Sequence, residues 1–224
     1  MSIILNIDTS IETASVSIAR EGNILISVKN AVQKDHAGFL HVAIKELLAN
    51  SLIDLKQLDA IAVTKGPGSY TGLRVGMATA KGLAYALNKP LICIGTLDML
   101  AQAAIQLPGQ DTSSKTLFCP MIDARRMEVY TAVFEADMKE VLPACAMILN
   151  EHSFGEFLKD NDVLFVGSGA AKWSKLVKAA NAGFLNDIDA TNALAYLSYN
   201  KFKESDFSNL SYSEPLYVKD FFSA

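Results

Sequence analysis

Apolar residues recur along the chain at two spacings, and the switches between them set the expected elements. Ile3 to Ile7 is a short apolar run that ends in Asp8-Thr9-Ser10. From Ala14 to Ile18 the pattern alternates, with Val16 and Ile18 on one face and Ser15 and Ser17 on the other. Glu21-Gly22-Asn23 reads as a turn, and Ile24 to Val28 resumes strand character, so a strand followed by a hairpin is predicted. Between His36 and Ser51, Leu40, Ile44, Leu47 and Leu48 stand at helical spacing, with Asp35 as N-cap. Leu58 to Val63 is the next predicted strand, Leu73 to Leu87 a helix, and Pro90 to Ile94 a buried strand. Thr96 opens a helix through about Gln106 that Pro108-Gly109 ends.

Pro108 to Lys115 is polar, and a second strand-first unit follows it. Thr116 to Ile122 and Val129 to Phe134 read as strands, Met147 to Leu149 as another, and Glu151 to Leu158 as a short helix. Val163 to Val166 is a buried strand, then come a helix from Ala170 to Ala180 and a last helix from Ala190 to Lys203. The predicted class is α/β, with two actin/Hsp70-like (ribonuclease H-like) lobes, 1–108 and 109–224. Each is a mixed sheet with flanking helices, the second reduced.

Composition narrows the function classes. At 224 residues, 50% hydrophobic and 20% charged, the chain has enough apolar material for a sizeable core. Its net charge of −4 argues against binding nucleic acid alone through a broad basic surface. No apolar run reaches the roughly 18 residues of a membrane helix, and no signal-peptide pattern opens the sequence, so a cytoplasmic protein is expected. Cys93, Cys119 and Cys145 are scattered in or beside apolar segments and read as reduced, buried thiols.

Gly66-Pro67-Gly68-Ser69-Tyr70-Thr71-Gly72 joins a predicted strand to a predicted helix. Such a loop aims backbone N–H groups and a helix N-terminus at one point, which suits a phosphate. It lacks both the Gly-Lys-Ser/Thr ending of a Walker A loop and G-x-G-x-x-G spacing. The same residues equally make a tight strand-to-helix turn. Asp123-Ala124-Arg125-Arg126 is the densest polar cluster, either a clamp for phosphate or a partner carboxylate, or a charged hairpin turn.

Gly66 to Gly72, continued by Leu73-Arg74-Val75-Gly76, resembles the signature of the TsaB (YeaZ) family of tRNA threonylcarbamoyladenosine biosynthesis proteins. Ile7-Asp8-Thr9-Ser10 is similar to that family's opening strand and turn. Asp123-Ala124-Arg125-Arg126-Met127-Glu128-Val129-Tyr130 resembles its D-A-R-x-x-E-V-Y run, and Glu214 to Lys219 its ending. The resemblance implies a non-catalytic paralogue of TsaD. It would act as a scaffold that binds TsaD, and with it the ATPase TsaE, in the complex that threonylcarbamoylates N6 of the adenosine beside the tRNA anticodon. It further implies a homodimer in isolation, tRNA met only through the complex, and no cofactor bound by this subunit alone. ATP and metal would sit in the partners or at a composite interface.

In related actin-like ATPases an acidic residue at the place of Asp8 faces Mg²⁺ and phosphate. By that resemblance Asp8, Thr9, Ser10, Gly66, Gly68, Ser69 and Gly72 are candidate, degenerate phosphate-proximal positions; Asp8 reads equally as the acceptor of a capped turn. Where TsaD carries two metal-binding histidines this chain has Thr96 and Leu100, leaving Asp98 alone, so no bound metal is expected. A helical wheel puts Leu73, Gly76, Ala80, Leu83 and Leu87 on the buried side. Arg74, Met77, Ala78, Lys81 and Tyr85 form an outer face, expected with Phe39 to be the partner interface. The alternatives are a degenerate actin-fold ATPase or peptidase acting alone, and a plain homodimeric scaffold.

Overall fold

The opening strand and hairpin fold as their apolar pattern requires. A computed structural model describes residues 1–30 and 36–219, apart from the side chains of His36 and Ala37; the Asp35 cap lies outside the described residues. β1 (Ile3–Asp8), β2 (Ala14–Arg20) and β3 (Asn23–Asn30) form an antiparallel meander. β4 (Ala60–Gly66) and β5 (Leu91–Gly95) add in parallel on the other side of β1, giving the order β3-β2-β1-β4-β5. The parallel β4–β5 pair needs a crossover, and α2 (Tyr70–Leu87) supplies it.

Neighbouring residues of β1 face opposite sides of the sheet. Leu5 and Ile7 share a core with Val16, Ile18, Leu40, Leu47, Met77 and Ala80, so α1 (His36–Ser51) and α2 cover that side. On the other side Asn6, 1% exposed, accepts a 2.6 Å hydrogen bond at Oδ1 from Ser198 Oγ of the last helix, Thr191–Lys203. The alternation in β2 therefore does not mark a solvated face. Ser15 and Ser17 are buried, and their small side chains let that last helix approach.

The chain divides into two compact units, Met1–Thr96 with Thr191–Leu216, and Leu97–Ala190 with the residues from Tyr217 on. The run after the last helix stays with the first unit. Ser208 N–H donates to Leu91 O at 2.8 Å, and Leu216 N–H donates to Lys65 O at 2.6 Å.

The second unit repeats the strand plan of the first. After α3 (Thr96–Ile105) come β6 (Thr116–Asp123), β7 (Glu128–Phe134), β8 (Glu140–Ile148), β9 (Asp162–Val166) and β10 (Ala182–Leu185), in the order β10-β9-β6-β7-β8. β6, β7 and β8 are antiparallel, and β9 and β10 join β6 in parallel. The reduction lies in the helices, since α4 (Gly155–Leu158) and α5 (Ala170–Trp173) are one turn each. Trp173 is fully buried, edge-on to Phe154 at 5.2 Å and tilted against Phe165 at 4.5 Å. Each unit is thus a mixed five-stranded sheet with flanking helices, the actin-like α/β class. The last helix of the chain, Thr191–Lys203, is α6.

Three local readings change. β8 is nine residues long rather than the Met147–Leu149 stub, because an edge strand tolerates Pro143 and lacks a clean alternation. The helix expected to reach Ala180 stops at Trp173, whose ring is drawn into the core. β10 adds a strand to the predicted elements; it is four residues long and carries Gly183, which hides it in the pattern.

Candidate functional site

The residues singled out near the glycine loop do come together, all within the first unit. At the end of β1, Asp8 is buried, and its Oδ1 accepts hydrogen bonds from Ser10 N–H (2.9 Å), Ser10 Oγ (2.6 Å) and Thr64 Oγ1 (2.8 Å). Thr9 Oγ1 donates to Gly72 O in the first turn of α2 at 2.7 Å. Ser69 N–H donates to Ser10 O at 2.7 Å, and Ser69 Oγ caps the helix by accepting from Gly72 N–H at 3.3 Å.

These bonds explain the glycines by close approach. A Cβ at Gly68 would stand 2.1 Å from Ser10 O, and one at Gly72 would stand 2.0 Å from Thr9 O. At Gly76 it would meet Thr9 Oγ1 at 2.3 Å. Gly66, at φ +111°, faces the returning tail, where a Cβ would stand 2.8 Å from Leu216 O. Two of the amide donors at this helix start, those of Ser69 and Gly72, are occupied by protein oxygens. Among the described residues no three His, Cys, Asp or Glu side chains stand together as a metal site.

The outer face of α2 differs from its wheel at one residue. Met77 is 3% exposed and belongs to the core. The physical reason is angular: at about 100° per residue, Met77 falls only about 40° from Leu73, on the buried side. Ala78, Arg74 and Tyr85 are exposed, Tyr85 by 80%. Arg74 lies over the Tyr70 ring at 4.0 Å. Lys81 Nζ donates to Ser213 O (2.9 Å) and Ser211 O (3.3 Å), so it fastens the tail. Phe39 is half-buried against the core.

Between α1 and α2 lies a groove of about 390 Å³, lined by His41, Ile44, Ala78, Thr79, Gly82 and Leu83. Of these the wheel places only Ala78 outward. The overlooked signal is Gly82, an interior helix glycine one turn beyond Ala78, with nothing within 4 Å of a Cβ there.

In the second unit the motif around Asp123 is a hairpin tip. Asp123 Oδ1 accepts from Arg125 N–H (2.6 Å) and Lys172 Nζ (2.7 Å), and Lys219 Nζ reaches the Glu128 carboxylate at 2.8 and 3.1 Å. Tyr130 is half-buried in β7, paired with Ile122 and Ala146. Burial pushes the Cys119 thiol up to about 12, with Thr131 Oγ1 beside it at 3.3 Å, so this cysteine is an inert core residue. Cys145 is only half-buried, unlike Cys93 and Cys119. Among the described residues no helix is long and apolar enough to cross a membrane.

The TsaD family, described as tRNA N6-adenosine threonylcarbamoyltransferase, matches residues 23–205. A Bacillus subtilis (strain 168) protein named tRNA threonylcarbamoyladenosine biosynthesis protein TsaB is 32% identical over 180 residues, covering 78% of this chain and 75% of that one. Its namesake in Haemophilus influenzae is 30% identical over 239 residues, covering 97% and 93%. Among solved structures, YeaZ from Pseudomonas aeruginosa superposes with a TM-score of 0.82 at 25% identity, covering 97% of this chain and 100% of that one. Identity at this level over most of both chains, together with the shared fold, shows that the chain belongs to the TsaB family of tRNA threonylcarbamoyladenosine biosynthesis proteins.

Proposed function

We propose that this chain serves threonylcarbamoyladenosine synthesis as a partner-binding subunit without catalysis of its own, and that the α1–α2 groove receives a TsaD-type catalytic subunit. The groove is the observation that carries this reading. Its lining combines small Ala78 and Gly82 with Ile44 and Leu83, and Val42 and Tyr85 are exposed on the same two helices. Small residues one turn apart let another helix come close, and an exposed aromatic suits an interface.

The likeness to the TsaD family supports this choice of occupant. The TsaD match runs through both helices, which supports a comparable helix pair in a TsaD-type subunit. Two such pairs can meet across a near-twofold axis, and a second copy of this chain can take the same place in isolation. TsaE then joins through that assembly, and tRNA meets it there. ATP and metal are held by the partners or at the composite interface. Internal satisfaction of Asp8, Ser69 and Gly72 supports a turn that fixes α2 rather than a working phosphate site.

Ala78→Glu tests the placement, with size-exclusion chromatography and calorimetry against the cognate TsaD-type subunit. Ala78 is exposed, so the variant should melt within about 0.5 kcal/mol of the wild type. A charge buried without a partner should weaken association by about 2–4 kcal/mol, roughly 30- to 1,000-fold in Kd. Unchanged affinity would remove the groove from consideration.

A further inference from the structure

The tip between β6 and β7 sets two arginines in a backbone conformation that side chains rarely adopt. Arg125 has φ +72° and Arg126 φ +48°, successive left-handed positions where Gly or Asn is usual. The turn is closed by Ala124 N–H to Glu128 O (3.1 Å) and Glu128 N–H to Arg125 O (3.0 Å). Backbone strain retained at an exposed tip argues for a requirement for the side chains themselves.

The surrounding charges sharpen the point. Asp123 is paired with Lys172, and Glu128 with Lys219, so each acid flanking the tip is neutralised by a lysine of the same unit. Among the described residues neither arginine forms an ion pair, and both are exposed. Two adjacent, uncompensated positive charges therefore stand out on a chain of net charge −4.

We propose that Arg125 and Arg126 contact the phosphate backbone of RNA, the tRNA on which the family's pathway acts. This rests on the reading of the chain as a subunit of that machinery. A guanidinium offers a planar fork of donors that fits a phosphate. A protein partner would need an apolar, water-excluding centre, whereas Met127, 39% exposed, is the only apolar residue among the exposed positions of the tip. Phosphate contacts are made by solvent-exposed charges of this kind, and they position rather than specify. The chain's overall negative charge repels RNA at long range, so the contact is short-ranged and salt-sensitive. It gains strength when the rest of an assembly already holds the RNA.

The test titrates the chain into a fluorescently labelled tRNA anticodon stem-loop, read by anisotropy at about 50 and about 200 mM KCl. The double variant Arg125→Asn/Arg126→Gly supplies residues suited to positive φ, so it should melt at or above the wild type. It should bind the RNA about tenfold more weakly, with a logarithmic salt slope smaller by about 1.4–1.8 for two lost phosphates. Arg125→Lys/Arg126→Lys should keep most of the binding. The proposal fails if the wild type shows no saturable binding at the lower salt, or if the Asn/Gly variant binds equally. It also fails if the arginines prove necessary for a poly-glutamate peptide but not for RNA. Co-elution with the TsaD-type subunit should be the same for wild type and variant. A wild type that fails to co-elute, yet binds RNA through its arginines, would overturn the partner reading and uphold this one.

Discussion

Adding one methyl group at Gly72 should separate α2 from the turn it grips. A Cβ there would lie 2.0 Å from the main-chain oxygen of Thr9, where contacts under 3.0 Å essentially do not occur. The helix start must therefore retreat by about 1 Å or more, an overpacking strain of about 1–3 kcal/mol. That retreat stretches Thr9 Oγ1 to Gly72 O and Ser69 N–H to Ser10 O, both 2.7 Å and each worth about 1 kcal/mol. Alanine returns up to about 1 kcal/mol in helix propensity. The net expectation for Gly72→Ala is a loss of about 2–4 kcal/mol, seen as a melting point lower by roughly 5–15 °C for a chain of this size. Gly82→Ala on the same helix is the contrast, since nothing lies within 4 Å of its Cβ, and it should gain up to about 1 kcal/mol. Gly76→Ala strikes the Thr9 side-chain oxygen at 2.3 Å, so adding Thr9→Ala should rescue it; the main-chain clash at Gly72 should not be rescued. Urea melts followed by circular dichroism measure all five variants. Gly72→Ala within about 0.5 kcal/mol of wild type, or a Thr9→Ala rescue of it, would refute the close-approach account.

Met77→Glu should be a folding lesion rather than an interface lesion, losing at least about 3 kcal/mol of monomer stability, because Met77 is 3% exposed in the core; a wild-type melting curve would contradict this. The Cys119 thiol, raised by burial from 9.0 to about 12, makes stability fall as pH rises through that window. There the unfolded chain has lost a proton that the folded one keeps, so the slope is up to about 1.4 kcal/mol per pH unit, and Cys119→Ala should flatten it. Equal alkaline slopes would exclude the effect. In the folded chain a thiol reagent should modify Cys145 well before Cys93 and Cys119, which should become reactive together only on unfolding; mass spectrometry of timed alkylation reads the order.

The first unit is largely legible in the sequence because its chemistry is local. β1 and β4 are buried on both faces and read as apolar runs, and the strand–glycine–helix passage announces itself. What the glycines approach is not legible, since the Thr9–Gly72 bond spans 63 residues and nothing near either position predicts the other. Arg125 and Arg126 give no sign of positive φ, because the usual signal for that conformation is Gly or Asn. Edge elements are also obscured. β10 is short and glycine-bearing, and β8 lacks the two-sided burial that makes a pattern. The groove is half visible: Ala78 reads as outward, whereas Leu83, about 80° from Leu73 on the wheel, lies at the boundary between core and surface.

The membership of α6 in the first unit has a consequence for how the protein is made. A ribosome delivers Met1–Thr96 first, but the helix that covers Asn6, Ser15 and Ser17 is encoded from Thr191 on. While residues 97–190 emerge, that side of the first sheet has no cover. The interposed unit is nearly continuous in sequence, and its core can close as soon as its own strands have appeared. Maturation is therefore expected to run against the reading direction, with the later-encoded unit finished first and the nascent N-terminal sheet dependent on chaperones until α6 arrives.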